Sequence, residues 1–185
     1  QLTVSPEKAP DKKRFIEIEF EKGIPTKIDG KRKGPLKIIS LLNKIGGENG
    51  IGRIDIIEDR TIGIKSREVY EAPAALLLIS AHQDLERLTL DRETTNLKEI
   101  VSQRYSQLIY NGYWFSPLRR TLSAFFKETQ KCVTGTVRLK LYKGSCVVVG
   151  RKSPCSLYRK ELATYSKEDL FDQKAATGFL KILKL

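Results

Sequence analysis

Two segments far apart in the chain alternate apolar and polar residues, and a long region with helical spacing lies between them. Residues 15–20 alternate Phe, Glu and Glu with Ile, Ile and Phe. Residues 134–142 repeat this period of two, with Arg138 and Lys140 on the polar side. This period is typical of strands with one buried face. Strands that flank a block of helices favour an α+β fold, an antiparallel sheet with segregated helices, over regular βαβ alternation.

The remaining elements are predicted from spacing and turn residues. Ser116 followed by Pro117 is typical of a helix start, because serine caps and proline suits the first turn. Gly46 and Gly47 are expected to end a preceding helix. A turn over residues 58–60 is expected to separate two short strands. Further strands are predicted at 24–28, 51–57, 61–65 and 146–149, and helices at 36–47, 74–88, 97–109 and 172–185.

The size of the chain indicates one domain with an appendage. Its 185 residues are 40% hydrophobic, enough to bury a sizeable core, and no window has the apolar length of a membrane helix. Residues 1–14 are polar, contain two prolines and lack the apolar run of a signal peptide, so we expect a linker that enters a domain at 15–185. The chain has no methionine, even at position 1, so we expect it to be a piece of a longer protein.

Composition narrows the functional classes. The net charge of +12 favours polyanionic partners such as nucleic acid, an anionic membrane face or phosphorylated small molecules. The basic residues are scattered, however, and scattered charge is more typical of solvated faces. Cys132, Cys146 and Cys155 form no C-x-x-C motif, so free thiols in a reducing compartment are expected. His82, the single histidine, lies in a helical pattern, which favours a structural role.

Common motifs of nucleotide and metal enzymes are missing from the sequence. There is no G-x-x-x-x-G-K-[ST] loop, no G-x-G-x-x-G and no H-E-x-x-H. A single histidine also leaves no Ser-His-Asp or Cys-His arrangement to argue for. We therefore assign no catalytic residue, cofactor-binding residue or metal ligand within this chain.

The segment 50–75, GIGRIDIIEDRTIGIKSREVYEAPAA, mixes β-branched residues with charges of both signs. Glu58 lies among four cations, and nearby positive charge keeps a carboxylate ionised. An ionised carboxylate accepts hydrogen bonds from an ammonium group or a urea-like N–H, and Tyr70 adds a hydroxyl and a ring. The alternative is a set of surface ion pairs, each of little energetic value. The four cations are Arg53, Arg60, Lys65 and Arg67.

This segment resembles the signature block of the C-terminal part of argininosuccinate synthase. The resemblance continues through YNGYWFSPL at 110–118, LYKG at 141–144 and GRKSP at 150–154. It includes EFEKGIP at 19–25 and Gly178-Phe179 near the end, and it covers nearly the whole chain in order.

The resemblance implies an ATP-dependent carbon–nitrogen ligase of arginine biosynthesis. In that family the ureido oxygen of citrulline attacks the α-phosphate of ATP, giving citrullyl-AMP and pyrophosphate, and the amine of aspartate then displaces AMP. By motif, Glu58 and Tyr70 correspond to a glutamate and a tyrosine that hold citrulline. Orientation and phosphate electrostatics carry most of such catalysis.

The family's nucleotide-binding half carries a Ser-Gly-Gly loop that has no counterpart in this sequence. The resemblance therefore implies that ATP with magnesium, and aspartate, bind a domain that precedes this one. The chain is then a synthetase and multimerisation domain, inactive alone and lacking the family's C-terminal helix. A homotetramer in the cytoplasm or a plastid stroma is also implied.

Two other functions remain open from the residues. A basic nucleic-acid-binding module would stack bases on aromatic residues interleaved with arginines. An oligomerisation scaffold without catalysis is the other. The residues that favour the first are Tyr110, Tyr113, Trp114, Phe115, Arg119 and Arg120.

Overall fold

The two alternating segments form the centre of a five-stranded antiparallel sheet. The computed structural model describes residues 2–162 and 173–184. In chain order the strands are β1 (Arg14–Glu21), β2 (Ile24–Ile28), β3 (Lys31–Arg32), β4 (Arg53–Asp59), β5 (Lys65–Glu71), β6 (Gly135–Tyr142) and β7 (Ser145–Lys152). The helices are α1 (Pro35–Glu48), α2 (Pro73–Thr89), α3 (Arg92–Tyr110), α4 (Pro117–Thr129) and α5 (Gln173–Leu183), with short 3-10 helices at Pro6–Lys8, Gln130–Cys132 and Lys160–Leu162.

The sheet has the order β3-β2-β1-β6-β7, and β1 pairs with β6 along its length. The apolar side of each alternating strand is buried, and α1 and α2 cover this face, which confirms the predicted α+β class. Each fully buried side chain of this kind contributes about 1.5–3 kcal/mol. The buried residues of the two central strands are Ile16, Ile18, Phe20, Val137, Leu139 and Leu141.

Helix α2 lies against the sheet along the stripe predicted for it. Leu77, Ala81 and Leu85 are buried at a spacing of four residues. The start of α2 is fixed from α1, because Asn43 Oδ1 accepts the backbone N–H of Ala74 at 2.9 Å. This contact satisfies a donor that the first turn of a helix leaves without an intrahelical partner.

The prediction that Gly46 and Gly47 end a helix is wrong, since α1 continues to Glu48. A Cβ atom on Gly46 would lie 2.7 Å from Cβ of Pro73, and one on Gly47 would overlap the carbonyl oxygen of Leu2. These glycines are therefore sites of close packing inside the helix. Glycine in a helix interior costs about 1 kcal/mol relative to alanine, which the contacts across α1 offset.

The predicted strand at 61–65 and the turn at 58–60 are also misplaced. The turn lies over residues 60–64, where the N–H of Gly63 donates to the carbonyl of Arg60 at 2.7 Å. Gly63 has a φ of 80°, which a residue with a side chain adopts rarely. Because the turn comes later, Glu58 lies within β4, and β5 begins at Lys65.

The first residues lie against the domain. The N–H of Val4 donates to the carbonyl of Gly47 at 3.1 Å, and Thr3 and Ala9 are buried. This segment therefore contacts both α1 and, through Thr3, the end of β5.

The outer helices contribute little to the core. Leu108 is the one buried residue of α3, and α4 has none. The two helices contact each other through Tyr105 and Phe126, whose ring centroids are 5.1 Å apart. The predicted helix at 172–185 is confirmed as α5, while residues 172 and 185 lie outside the described part. In the described ranges, no helix combines the length and apolarity that a membrane crossing requires.

Candidate functional site: the β4–β5 ribbon

Strands β4 and β5 pair only with each other and form a two-stranded ribbon apart from the main sheet. Their register places Ile54 opposite Tyr70, Ile56 opposite Glu68 and Glu58 opposite Ser66. Residues directly opposite each other in an antiparallel pair share a face, and the face changes at every residue along a strand. One face of the ribbon, here called the Glu58 face, therefore carries these six residues.

The two residues predicted to bind substrate meet on the Glu58 face. Tyr70 Oη donates a hydrogen bond to Glu58 Oε1 at 2.8 Å. The hydrogen bond to Glu58, followed by desolvation and the charges of Glu58 and Glu68, raises the pKa of Tyr70. The phenol therefore stays protonated at neutral pH. Glu58 keeps a second carboxylate oxygen for another donor.

The four cations near Glu58 in sequence pair with other acids. Within the described residues, their ion pairs are Arg53–Glu71, Arg60–Glu68, Lys65–Asp59 and Arg67–Asp55. Strand parity explains this, because three of the cations lie on the opposite face. The ion-pair alternative is thus confirmed for that face, and Glu58 is bonded to a neutral phenol.

A further polar atom of the Glu58 face has no partner within the described part of the chain. Ser66 Oγ is buried and makes no hydrogen bond there. Ser66 stands directly opposite Glu58 in the ladder. A buried hydroxyl without a partner is costly, so Ser66 is a weak point in the packing beside Glu58.

The base of the ribbon is held by Glu71. Its carboxylate accepts the N–H of Leu2 at 2.6 Å, the N–H of Thr3 at 3.1 Å and the hydroxyl of Thr3. Arg53 lies 3.3 Å from the same carboxylate and also donates to the carbonyl of Thr3 at 2.8 Å. These bonds, led by the one from the Thr3 hydroxyl, lower the pKa of Glu71 to about 2.

The far end of the ribbon contacts α3. Tyr110 Oη donates to the carbonyl of Asp59 at 3.2 Å. Because Tyr110 is the last residue of α3, this bond joins that helix to the tip of the ribbon. The Glu58 face is therefore positioned from both ends. Of its six residues, Ile54, Ile56 and Tyr70 are exposed and the other three are half-buried.

The aromatic segment after α3 is arranged around Arg119. Its guanidinium stacks over the ring of Trp114 at 4.8 Å and donates to the Trp114 carbonyl at 2.7 Å. Phe115 next to it is 86% exposed. Arg119 thus already contacts protein groups. Of the two arginines of the predicted base-stacking surface, only Arg120 is not held by Trp114 in this way.

The described residues hold no cluster of three or more histidine, cysteine, aspartate or glutamate side chains that could bind a metal ion. The Glu58 face carries the carboxylates of Glu58 and Glu68, a phenol and a serine hydroxyl, and Glu68 is paired with Arg60 at 3.4 Å.

Comparison with known proteins identifies the family to which this chain belongs. A family model described as "Arginosuccinate synthase C-terminal domain" matches residues 1–185. The chain belongs to the argininosuccinate synthase family. It is 56% identical to an argininosuccinate synthase of Chlorobium luteolum over 185 residues, all of this chain and 46% of that protein.

Two further argininosuccinate synthases agree. The one from Chlorobium limicola is 57% identical over 185 residues, all of this chain and 46% of that protein. The one from Rubrobacter xylanophilus is 54% identical over 182 residues, 98% of this chain and 44% of that protein. The chain spans a little under half the length of these curated relatives.

For this member of the argininosuccinate synthase family, the sequence predicted Glu58 and Tyr70 as site residues. It did not predict the residues that surround them or hold the ribbon in place. The structure adds Ser66 and Glu68 on the same face, Glu71 at the base and Tyr110 at the tip. A correct register would have revealed Ser66 and Glu68, since both follow from the pairing of β4 with β5. The contacts of Glu71 and Tyr110 are long-range in sequence and left no local signal.

Proposed function

We propose that this chain supplies part of the citrulline site of an argininosuccinate synthase, which joins citrulline and aspartate with cleavage of ATP to AMP and pyrophosphate. The observation that carries the proposal is the 2.8 Å hydrogen bond that aligns Tyr70 with Glu58 on an exposed ribbon. Family membership supports the reaction, and the pair supports the role of this half of the protein.

The chemistry of citrulline fits this face. Its ureido group and its α-ammonium group are hydrogen-bond donors, and an ionised carboxylate accepts such bonds more strongly than a neutral acceptor does. Glu58 would accept from one of these groups through the oxygen that Tyr70 leaves free. Tyr70 would hold the carboxylate in position and place its ring against the substrate chain.

The proposed contact between Glu58 and citrulline strengthens during the first step, the attack of the ureido oxygen on the α-phosphate of ATP. When the ureido oxygen bonds to phosphorus, positive charge develops on the ureido nitrogens. A fixed carboxylate beside those nitrogens stabilises that charge without reorganisation of solvent. If Glu58 contacts the ureido group, its loss lowers kcat as well as the affinity for citrulline. If it contacts the α-ammonium group, the loss falls mainly on KM.

The test is Glu58→Gln in the full-length enzyme, with initial rates measured for each substrate. Loss of a hydrogen bond to a charged group, about 1.5–3 kcal/mol, is expected to reduce kcat/KM for citrulline roughly 10- to 100-fold. The KM values for ATP and aspartate are expected to stay within about twofold. Asp55→Asn is the matched control, because Asp55 lies in the same strand on the opposite face and pairs with Arg67.

Unchanged citrulline kinetics in Glu58→Gln would rule out the proposed role. An equal loss in Asp55→Asn would mean that the ribbon responds to any lost charge, and it would overturn the specific assignment as well.

We further propose that ATP with magnesium, and aspartate, bind the nucleotide-binding portion of the full-length protein, and that this chain also makes subunit contacts. The sequence contains no glycine-rich phosphate loop, which supports the first part. The apolar side chains exposed on the outer helices support the second, and a homotetramer is the expected assembly. Activity in this proposal requires both portions, and the expected compartment is the cytoplasm or a plastid stroma.

A further inference from the structure

Cys132 and Cys155 are distant in sequence, but the paired strands bring their segments together. Cys132 ends the short 3-10 helix after α4, just before β6, and Cys155 follows the end of β7. Ser153 Oγ donates to the carbonyl of Thr134 at 2.6 Å and accepts the N–H of Cys155 at 3.0 Å. The carbonyl of Cys132 in turn accepts the N–H of Thr134 at 2.8 Å. A continuous chain of hydrogen bonds therefore connects the two backbones.

The two thiols lie close enough to interact. Burial, followed by the neighbouring Cys132 thiol, raises the pKa of Cys155, and both cysteines are free. Cys132 is exposed and Cys155 is half-buried, so an oxidant can reach the pair from the Cys132 side. The third cysteine differs, because Cys146 lies in β7 opposite Leu141, and burial raises the pKa of its thiol to about 11.

We propose that Cys132 and Cys155 are a modification site, a thiol pair that hydroperoxide-class oxidants convert reversibly into a disulfide. The inference is independent of the citrulline proposal, since neither cysteine lies on the ribbon. Disulfides in reducing compartments are usually transient and redox-sensing, and two thiols on adjacent, hydrogen-bonded segments need little backbone movement to close.

The reaction balances with one peroxide. The exposed thiolate of Cys132 attacks a peroxide oxygen, the O–O bond breaks, and a sulfenic acid forms with loss of hydroxide. The sulfur of Cys155 then attacks the sulfur of Cys132, an S–S bond forms and water leaves. In sum, two thiols are oxidised and one hydrogen peroxide is reduced to two waters.

The bond would link the 3-10 helix after α4 to the segment after β7. Gln130, two residues before Cys132, donates to Glu86 at 2.7 Å and contacts His82 at 2.8 Å. The disulfide would therefore hold these contacts to α2 in place. A crosslink between segments that are already adjacent stabilises mainly by restricting the unfolded chain. The oxidised protein is accordingly expected to have a higher Tm than the reduced protein.

The test treats the purified protein with hydrogen peroxide, blocks free thiols by alkylation, and digests it with trypsin without reduction. Cleavage after lysine and arginine separates the three cysteines into peptides 132–138, 144–151 and 153–159. The expected product is peptide 132–138 linked to 153–159 in the monomer, with peptide 144–151 alkylated. A dithiol reductant should return both linked thiols to the alkylatable form.

Matched variants complete the experiment. Cys146→Ser should give the same linked peptides, whereas Cys132→Ser and Cys155→Ser should each give none, with circular dichroism spectra like that of the parent. Disulfides that involve Cys146, a disulfide between two molecules, or oxidation of Cys132 without a link to Cys155 would each overturn the proposal.

Discussion

At the scale of single residues, the Glu58 face depends on a phenol that holds a carboxylate. Tyr70 donates to Glu58 and is 45% exposed, so its removal should not disturb the fold. Ion pairs on the opposite face are independent of this bond. The contribution of Tyr70 should therefore appear in substrate binding, while the stability of the domain stays unchanged.

Tyr70→Phe in the full-length enzyme tests this contribution. Loss of one neutral hydrogen bond is worth about 0.5–1.5 kcal/mol, so kcat/KM for citrulline should fall roughly 2- to 10-fold, less than for Glu58→Gln. The ring is kept, so Tm should not change. A loss as large as that of Glu58→Gln, or a lower Tm, would contradict the positioning role. Steady-state kinetics and thermal unfolding provide both readouts.

Glu71 gives a second prediction at this scale, through pH. Its folded pKa of about 2 lies below the ordinary glutamate value of 4.5. A lowered pKa means that the stabilisation is fully present above pH 4.5 and is lost as pH falls through about 2. Glu71→Gln should therefore lower Tm by several degrees at pH 7, and the gap to the parent should close between pH 4.5 and 2.

Glu48→Gln is the control for this measurement, because Glu48 is half exposed and makes a single 3.5 Å pair with Arg14. Its Tm should match that of the parent at neutral pH. A Glu71→Gln deficit that stays constant down to pH 2 would show that the carboxylate charge is not the source.

At the scale of elements, the two glycines of α1 decide how the first segment meets the domain. Alanine in place of Gly47 would gain about 1 kcal/mol of helix propensity. Its Cβ would overlap the Leu2 carbonyl, a backbone atom, and forcing such a group apart typically costs about 1–3 kcal/mol or more. The cost of the overlap exceeds the gain in helix propensity, because Glu71 also holds the N-terminal segment and prevents it from moving away.

Gly47→Ala should thus lower the free energy of unfolding by roughly 1–2 kcal/mol in urea denaturation. Gly178→Ala is the matched control, since Gly178 lies in α5 with open space around it. This control should show no loss. Equal effects of the two substitutions would contradict a role for close packing.

These elements also show how far sequence alone leads. Strict alternation predicted β1 and β6, and the apolar stripe predicted α2. Each of these patterns places its apolar residues on one face in only one type of secondary structure. The prediction at Gly46 and Gly47 was wrong because the sequence does not distinguish a glycine required for close packing from a glycine that ends a helix. The turn of the ribbon was misplaced for a similar reason: residues 53–71 are β-branched and charged throughout, and only Gly63 marks the bend. Glu58 and Tyr70 were proposed from the charge pattern and the family resemblance. Ser66 required the correct strand register, and Glu71 and Tyr110 required the three-dimensional structure.

At the scale of the whole molecule, many apolar side chains are left exposed, including some on α3, on α5 and in the segment that joins α3 to α4. Phe115 is 86% exposed, Ile100 is 68% exposed and Ile182 is 72% exposed. Apolar groups exposed in this number are typical of surfaces that contact another domain or subunit. They fit the proposal that this chain works as one part of a larger assembly.

The citrulline site should accordingly be complete only when both portions of the enzyme are present. Calorimetry of this chain with citrulline alone is expected to give no heat of binding. Heat should appear when the nucleotide-binding portion of the family is added, together with an ATP analogue that cannot be cleaved between its α- and β-phosphates. Glu58→Gln should weaken that binding and Asp55→Asn should leave it unchanged, because Glu58 lies on the same face of the ribbon as Tyr70 and Asp55 lies on the other.

With ATP and aspartate in place of the analogue, the mixture should form argininosuccinate, AMP and pyrophosphate. Each portion alone should form none if, as we propose, citrulline contacts and phosphate contacts are divided between them. A folded complex that binds no citrulline would favour the oligomerisation scaffold. Citrulline binding of equal strength by this chain alone would show that the ribbon face is already a complete site, and a shared site would then be wrong.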